Sequence, residues 1–302
     1  MTSTLVTGSD EPLGAAVVTR LRRRAGLSIV ETGSQVGSYE DIAELMTAHR
    51  VSAVIHTGLV AWSSNIDVDV IGTMRLSAAA AQPGSTVRSV TAASSVLVYP
   101  ASSGAPRQHR EHEAPEPAPR AAAARLLEAE RYLRTLADEN PHMSIAILRL
   151  ADLAGTPPQG PLARLLSRPV VPTIAGFDPP IQLLDLDDAA AALEHAALRG
   201  LAGTYNVAAD GALPWSAAVR LAGKRVAPIL APPSWIATVA ARVGIPALGP
   251  QLIDTLRFGR LVDTGLLAAT GFEPRHTTAA CAARARSAPP RPRRPNHPRR
   301  PG

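Results

Sequence analysis

The sequence has few of the residue types that supply special chemistry. Among 302 residues there is one cysteine, Cys281, and only 3% are aromatic. A single cysteine cannot form an internal disulfide, which is typical of a protein kept in a reducing cytoplasm. No run of eighteen apolar residues occurs, and the N-terminus reaches a polar glycine turn after a few apolar residues. We therefore expect neither a membrane span nor a signal peptide, and a cytoplasmic location.

Lysine is almost absent, since Lys224 is the only lysine among 31 basic residues. The formal net charge is +6, but its distribution along the chain is uneven. Seven arginines lie in the last nineteen positions, namely Arg284, Arg286, Arg291, Arg293, Arg294, Arg299 and Arg300. Without them the chain has 24 basic against 25 acidic residues, so the rest of the protein is nearly neutral.

Residues 287–302 form a proline- and arginine-rich tail with almost no large apolar side chains. Such a segment buries too little apolar surface to offset the entropy of ordering, so we expect it to be disordered. Our interpretation is a solvated basic extension. A role in contacting nucleic acid or an anionic membrane surface is the alternative that we do not favour.

The body of the chain alternates short apolar runs with segments of helical period, a pattern that predicts a parallel sheet covered by helices. The predicted strands are 3–7, 27–31, 51–56, 88–93 and 144–150, and the predicted helices are 13–24, 39–49, 70–81 and 121–138. The polar loop 101–119 is too long for a simple turn, which indicates a functional or mobile segment. Beyond residue 155 the rhythm changes, with short strands at 169–173 and 204–207.

The first strand is followed by a turn with the sequence TGSDEPLG, residues 7–14. Glycines at such a turn let a pyrophosphate approach the amides at the helix start, where the helix dipole attracts anions. Gly8 and Gly14 supply two of the expected glycines, whereas Glu11 replaces a middle one. Glu31 ends the second strand, where an acid accepts hydrogen bonds from a ribose and repels the 2′-phosphate of NADP. The turn predicts an NAD site, with an ordinary strand-to-helix turn as the alternative.

Further segments in the same order resemble one family. They are VIHTGL (54–59), VIGT (70–73), SSVLVY (94–99), LRLADLAG (148–155), DDAA (187–190) and TGFEP (270–274). Over residues 3–280 the chain resembles NAD-dependent epimerases and dehydratases of the short-chain dehydrogenase/reductase superfamily.

This resemblance implies an α/β fold, with a Rossmann-type doubly wound parallel sheet in residues 1–155. A smaller C-terminal substrate lobe, residues 156–286, is intertwined with that core. It implies NAD rather than NADP as cofactor and a small-molecule substrate such as a nucleotide sugar. A homodimer is one option for the oligomeric state.

The resemblance also assigns the cofactor contacts to the glycine turn, the second-strand acid and the ends of the third and fourth strands. These residues are Gly8, Ser9, Glu11, Pro12, Leu13, Gly14, Glu31, Thr57, Gly58, Leu59, Ala93 and Ser94.

The family's catalytic set is a serine with a Tyr-x-x-x-Lys pair on one helix face, in which lysine lowers the tyrosine pKa for proton transfer. Ser95 matches the serine. In helix 121–138 the family's trailing glutamate aligns with Glu130, which places Ala122 at the tyrosine position and Leu126 at the lysine position. A slip of one residue would offer Arg125, but a guanidinium does not share its proton as an amine does.

We therefore expect an atypical active site, with Ser95 aided by Tyr99 or by a group on the substrate. Enzymatic activity stays open. A non-catalytic Rossmann module that senses a nucleotide or metabolite and regulates a partner is the alternative.

Other polar residues have simpler interpretations. His109 and His112 form a His-x-x-His pair without further ligands, so we predict no metal site there. His56 and His195 are expected to be satisfied within packed elements. The acidic cluster that begins at Asp185 is interpreted as a helix-start cap, with a substrate-facing Asp185 as the alternative.

Removal of the tail tests the interpretation of residues 287–302. Truncation after Arg286 is expected to change the melting temperature by less than about 2 °C, because an unpacked tail contributes no buried surface. Differential scanning calorimetry of the two forms measures this. A drop of more than a few degrees would show that the tail packs on the body.

Overall fold

The computed structural model describes residues 2–34, 37–59, 66–113, 121–229 and 250–286. The prediction for the tail lies outside these residues. The strands are β1 (Thr2–Thr7), β2 (Leu27–Thr32), β3 (Val51–His56), β4 (Ser89–Ser95), β5 (Ser144–Leu150), β6 (Asp152–Ala154), β7 (Val170–Ile174), β8 (Pro180–Ile181), β9 (Leu183–Asp185), β10 (Gly203–Val207), β11 (Leu213–Pro214) and β12 (Arg225–Ile229).

Helices connect most of these strands. They are α1 (Pro12–Leu21), α2 (Tyr39–Ala48), α3 (Ile66–Ala81), α4 (Ala121–Glu139), α5 (Pro161–Leu166), α6 (Leu186–Arg199), α7 (Trp215–Leu221), α8 (Pro250–Phe258), α9 (Gly265–Ala268) and α10 (Thr278–Arg284). A short 3₁₀ helix, Val96–Val98, follows β4 directly. No helix within the described residues is both long enough and apolar enough to cross a membrane.

The predicted α/β Rossmann-type fold is confirmed. Six parallel strands form one sheet in the order β10-β5-β4-β3-β1-β2. Helices cover both faces of the central strands, as in β5, where Ile145 to Leu150 are all buried, whereas the edge strand β2 is mostly exposed or half-buried. The chain passes from β1 outward to β2 and then returns to β3 on the other side of β1. Ligands of open α/β sheets bind at such a switch point, beyond the carboxyl ends of the strands.

Element boundaries differ from the sequence prediction at a few ends. Helix α1 ends at Leu21 rather than at residue 24, because the chain caps at Arg22 and turns at Gly26, whose φ is +83°. Strand β4 continues to Ser95 because it keeps its pairing with β5, in which Ser94 faces Arg149. Helix α3 begins at Ile66, four residues before the predicted start.

The second hydrophobic core lies in the C-terminal half, around the fully buried Trp215. It is framed by the two-stranded sheets β11-β8, β12-β7 and β6-β9. Two elements beyond residue 155 belong instead to the large sheet. Strand β10 is its edge strand, and α6 packs on α1, where Glu194 pairs with Arg20 and Arg24.

A buried polar network joins α4 to the sheet. Glu130 of α4 accepts two hydrogen bonds from Arg149 of β5, at 2.7 and 3.1 Å, and one from the Ser94 hydroxyl at 2.6 Å. Arg149 also donates to the hydroxyl of Tyr99, which in turn donates to Asn206 of β10. Both Glu130 and Arg149 are buried, so Arg149 depends on Glu130 for compensation, while the carboxylate has a second cationic partner in Arg134 of α4.

The Arg149→Met variant tests how far this pair holds the fold. We expect the free energy of unfolding to fall by about 3 kcal/mol, because a buried Glu130 is left with less compensation. The double variant Arg149→Met with Glu130→Gln should recover part of the loss, since no bare carboxylate remains. Urea denaturation measures both. A single-variant loss below about 1 kcal/mol would contradict the role given to the pair.

Candidate functional site

The predicted site residues come together at one edge of the large sheet. In the strand register Thr7 pairs with Thr32 and with His56, His56 pairs with Ala92, and Ser95 pairs with Leu150. The carboxyl ends of β1, β2 and β3 are therefore level, whereas β4 and β5 run three residues further, and the residues that follow these strands lie at the same edge of the sheet.

The glycine turn after β1 has the geometry that a pyrophosphate needs. Gly8 has φ +74°, a conformation that favours glycine, and a Cβ at Gly14 would lie 2.0 Å from the carbonyl oxygen of Gly8. The turn amide of Glu11 is bonded to that same carbonyl, and Pro12 has no N–H. The first-turn amides of Leu13 and Gly14 remain as donors at the helix start. The residues present therefore fit a dinucleotide.

Two side chains of the turn differ in their hydrogen bonding, because Ser9 is bonded to β2 and Glu11 makes no capping bond. Ser9 donates its hydroxyl to the carbonyl of Thr32 at 3.2 Å, which ties the turn to the end of β2. Glu11 is the N-cap residue of α1, with its side chain exposed and making no capping hydrogen bond. A carboxylate in this position faces water beside the anion site.

Two further acids flank the end of β2. Glu31 is the penultimate residue of β2, and its Oε1 accepts a 2.5 Å hydrogen bond from Arg22. Asp10, in the glycine turn, accepts from the amide of Ser34 at 2.6 Å and from its hydroxyl at 3.0 Å. Sequence reasoning missed Asp10, because its partner is 24 residues away.

The segment after β3 packs against the glycine turn. Thr57 donates its hydroxyl to the carbonyl of Thr7 at 2.7 Å, and Gly58 and Leu59 follow it. His56 lies beneath, hydrogen-bonded to Thr7 and Thr73. Burial lowers the pKa of His56 to about 4, so the ring is neutral at physiological pH. The interpretation of His56 as a satisfied, packed histidine is confirmed.

The end of β4 is buried. Ala93, Ser94 and Ser95 have no accessible surface, and the Ser94 hydroxyl is used by Glu130. Ser95 accepts a hydrogen bond from the amide of Leu97 at 3.2 Å, which caps the 3₁₀ helix. In this conformation Ser94 can offer a cofactor only its backbone, and Ser95 is covered.

Helix α4 starts at the sheet edge where the site lies, because it leads from the end of β4 back to the start of β5. Ala122, Leu126 and Glu130 are spaced four apart and share one face. Ala122 is half-buried, whereas Leu126 is 3% exposed and packs in the main core.

Tyr99 is part of the buried network rather than of the open crevice. Its ring stacks on His109 with centroids 4.7 Å apart, and the Arg149 guanidinium lies 4.9 Å from the ring centroid. Burial raises the pKa of Tyr99, although the adjacent Arg149 opposes that rise. Its hydroxyl is bonded to Arg149 and Asn206, so we assign no proton transfer to Tyr99.

Two charged residues lie where the large sheet meets the smaller lobe, namely Asp152, which belongs to the LRLADLAG segment, and Arg260, which sequence reasoning missed. Asp152 accepts hydrogen bonds from the amides of Leu162 and Ala163 at the start of α5, both at 2.9 Å. Burial raises its pKa to about 6. Arg260 donates to the carbonyl of Tyr99, and burial lowers its pKa to about 10, so it stays charged. Asp152 begins β6, two residues after the end of β5, a position near the carboxyl edge of the large sheet.

The remaining predicted polar residues have structural partners. Asp185 caps α6 by accepting from the amide of Asp187, which confirms the cap, and it also pairs with Arg284. His195 is bonded to Thr270, as expected for a packed histidine. His109 bonds to the carbonyl of Pro100. Within the described ranges no group of three His, Cys, Asp or Glu residues has the arrangement of a metal site.

Comparisons with known proteins agree with this architecture. A sequence model of the NAD dependent epimerase/dehydratase family matches residues 4–208. The uncharacterized protein Rv0501 of Mycobacterium tuberculosis is 33% identical over 247 residues, which are 78% of this chain and 65% of that protein. The same values hold for the uncharacterized protein Mb0513 of Mycobacterium bovis. The chain thus spans about two thirds of the length of these relatives.

Solved structures share the fold at low sequence identity. The dTDP-glucose 4,6-dehydratase of Bacillus anthracis in complex with NAD has a TM-score of 0.72 at 13% identity, covering 94% of this chain and 95% of that one. The UDP-glucose 4-epimerase of Thermotoga maritima with UDP-glucose also has a TM-score of 0.72, at 16% identity, covering 93% and 96%. The dTDP-4-dehydrorhamnose reductase of Bacillus anthracis in complex with NADP has 0.69 at 14%, covering 94% and 98%.

The charge of Glu11 gives a test of the anion site. Two unit charges about 5 Å apart at an effective dielectric of about 20 repel by roughly 3 kcal/mol, and an exposed carboxylate contributes less, about 1 kcal/mol. Glu11→Gly is therefore expected to tighten NAD binding about fivefold in calorimetry.

The Glu11→Gln variant should reproduce most of that gain, because it removes only the charge. Glu128→Gln, on the exposed face of α4, serves as the distant control. Equal NAD affinity in all four proteins would mean that the pyrophosphate does not lie at this turn.

Proposed function

Because this chain belongs to the NAD-dependent epimerase/dehydratase family, we propose that it binds NAD at the glycine turn but lacks the proton-transfer pair of its relatives. The proposed activity is a slow oxidoreduction or epimerisation of a nucleotide sugar. The observation that supports the missing proton-transfer pair is the burial of Leu126. This residue lies on α4 one turn before Glu130, whose carboxylate is bonded to Ser94 and Arg149.

The cofactor part rests on the glycine cradle. The amides of Leu13 and Gly14 would hold the pyrophosphate, and Glu31 would accept a hydrogen bond from the adenosine ribose. Thr57, Gly58 and Leu59 would form the opposite wall of the crevice. When bound, NAD supplies a hydride acceptor at the nicotinamide. The acids at the site support NAD over NADP, although relatives of the same fold contain either cofactor.

The catalytic part of the proposal rests on the residues of α4 at the two positions of the family's proton-transfer pair. Helix spacing supports Ala122 and Leu126 as the residues at the family's tyrosine and lysine positions. Neither side chain has an ionisable group that could donate or accept a proton. Ser95 is the remaining member of the set, and its hydroxyl would position the substrate oxygen once the site opens.

The proposed substrate lies between the sheet edge and the smaller lobe, residues 156–286. Two elements in that range are not counted as part of the lobe, because β10 is the edge strand of the large sheet and α6 packs on that sheet. Arg260, a half-buried residue, supplies a positive charge there, which suits a substrate that carries phosphate. Relatives of the same fold were solved with UDP-glucose. We propose a nucleotide sugar for this chain on those grounds, and a cytoplasmic location from the single cysteine.

The second candidate function is a non-catalytic module that binds a nucleotide or metabolite and regulates a partner. The burial of Ser95, together with the bonded hydroxyl of Tyr99, favours it. The two candidates share the dinucleotide site and differ in whether chemistry occurs.

A substrate screen separates the two. We expect the unmodified protein, supplied with NAD or NADP and common sugar nucleotides, to turn over more slowly than about 1 per second. Loss of general acid-base groups typically costs about 10²- to 10⁴-fold. Rates of product formation measured by chromatography give the answer, and turnover at an ordinary enzymatic rate would refute the degenerate site.

Ser95→Ala is the control for any slow rate that is detected. A further loss of about tenfold would assign the residual rate to Ser95 and favour the enzyme. An unchanged residual rate would favour the non-catalytic module. Restoring the pair by Ala122→Tyr with Leu126→Lys is a weaker test, because it places an amine in the main core.

A further inference from the structure

Asp10 holds a distinctive position between the two halves of the proposed cofactor site. Its backbone belongs to the glycine turn, where the pyrophosphate would bind. Its carboxylate reaches the segment after β2, bonding twice to Ser34 and lying 3.1 Å from the position of a Cβ at Gly33. Gly8 and Ser9 tie the same two segments together through their amides.

The ribose of a bound dinucleotide would lie near this carboxylate. In Rossmann folds the acid at the end of the second strand binds the ribose hydroxyls, and that acid is Glu31 here. Ser34 is three residues beyond Glu31. A dinucleotide whose pyrophosphate lies at the glycine turn and whose ribose lies at Glu31 would therefore pass beside Asp10.

The two acids differ in how much of their charge is compensated. Glu31 is paired with the guanidinium of Arg22, so the pair has no net charge. Asp10 bonds only to a neutral amide and a neutral hydroxyl, and no cation within the described residues forms an ion pair with it. A 2′-phosphate, which carries a charge of about −1.5 to −2, would meet the full negative charge of Asp10.

We propose that Asp10, rather than Glu31, is the residue that makes this site select NAD against NADP. The proposal rests on the proposed cofactor site and deepens it. Asp10 rejects the 2′-phosphate by charge while it holds the loop after β2, and Glu31 accepts a hydrogen bond from the ribose 3′-hydroxyl, which both cofactors carry.

Asp10→Asn separates these two roles, because an amide oxygen can still accept from Ser34 while the charge is gone. Calorimetric dissociation constants for NAD and NADP give the selectivity ratio. We expect Asp10→Asn to shift this ratio toward NADP by about fivefold or more, the effect of removing one exposed like charge. The NAD constant should stay within about twofold, since the loop contact survives.

Two comparison proteins sharpen the test. Asp138→Asn removes one negative charge from the exposed end of α4 and should leave both constants unchanged. The charge-neutral double variant Arg22→Gln with Glu31→Gln should weaken both cofactors together and keep their ratio within about twofold.

The outcomes distinguish this inference from the proposed function. If NAD binds but Asp10→Asn leaves the ratio unchanged, or if the double variant shifts the ratio more than Asp10→Asn does, Asp10 is not the determinant and the cofactor site still stands. If neither dinucleotide binds to any of the proteins, the proposed cofactor site fails and this inference fails with it.

Discussion

The buried ion pair between Glu130 and Arg149 is the interaction on which the geometry of the site depends. It fixes α4 against β5, and through Ser94 and Tyr99 it also joins β4 and β10. Because a buried charge is costly without its partner, α4 has little freedom to rotate or slide. The residues that α4 presents to the crevice are set by this one contact.

The proposed function separates two tasks, the positioning of a dinucleotide and the transfer of a proton. Positioning of a dinucleotide would depend on the backbone at Gly8 and Gly14 and on the level ends of β1, β2 and β3, all of which this chain has. Proton transfer depends on side chains of α4, and here Leu126 has joined the hydrophobic core. A polar side chain at that position would now need its own partner in a region that offers apolar contacts. On the proposed function, the loss of the proton-transfer pair is therefore built into the packing.

Much of the fold could be predicted from sequence because its signals are local. The bounds of β5, which is apolar except at Ser144 and Arg149, were predicted to the residue, and the turn after β1 was predicted from its glycines, of which Gly8 has the positive φ that glycine favours. Contacts between distant residues could not be predicted. Asp10 with Ser34, and Arg260 with the carbonyl of Tyr99, are separated by 24 and 161 positions, and each depends on the folded chain. The place of Tyr99 in the buried network could not be predicted for the same reason, since its partners lie on β5 and β10.

A crystal structure of the full chain with NAD tests the central claim most directly. The account predicts the pyrophosphate at the amides of Leu13 and Gly14 and the adenosine ribose between Asp10 and Glu31. The nicotinamide should face Ser95, with no tyrosine or lysine side chain close to the open face of the ring carbon that accepts the hydride. A dinucleotide bound elsewhere, or a tyrosine or lysine brought to that face, would contradict it.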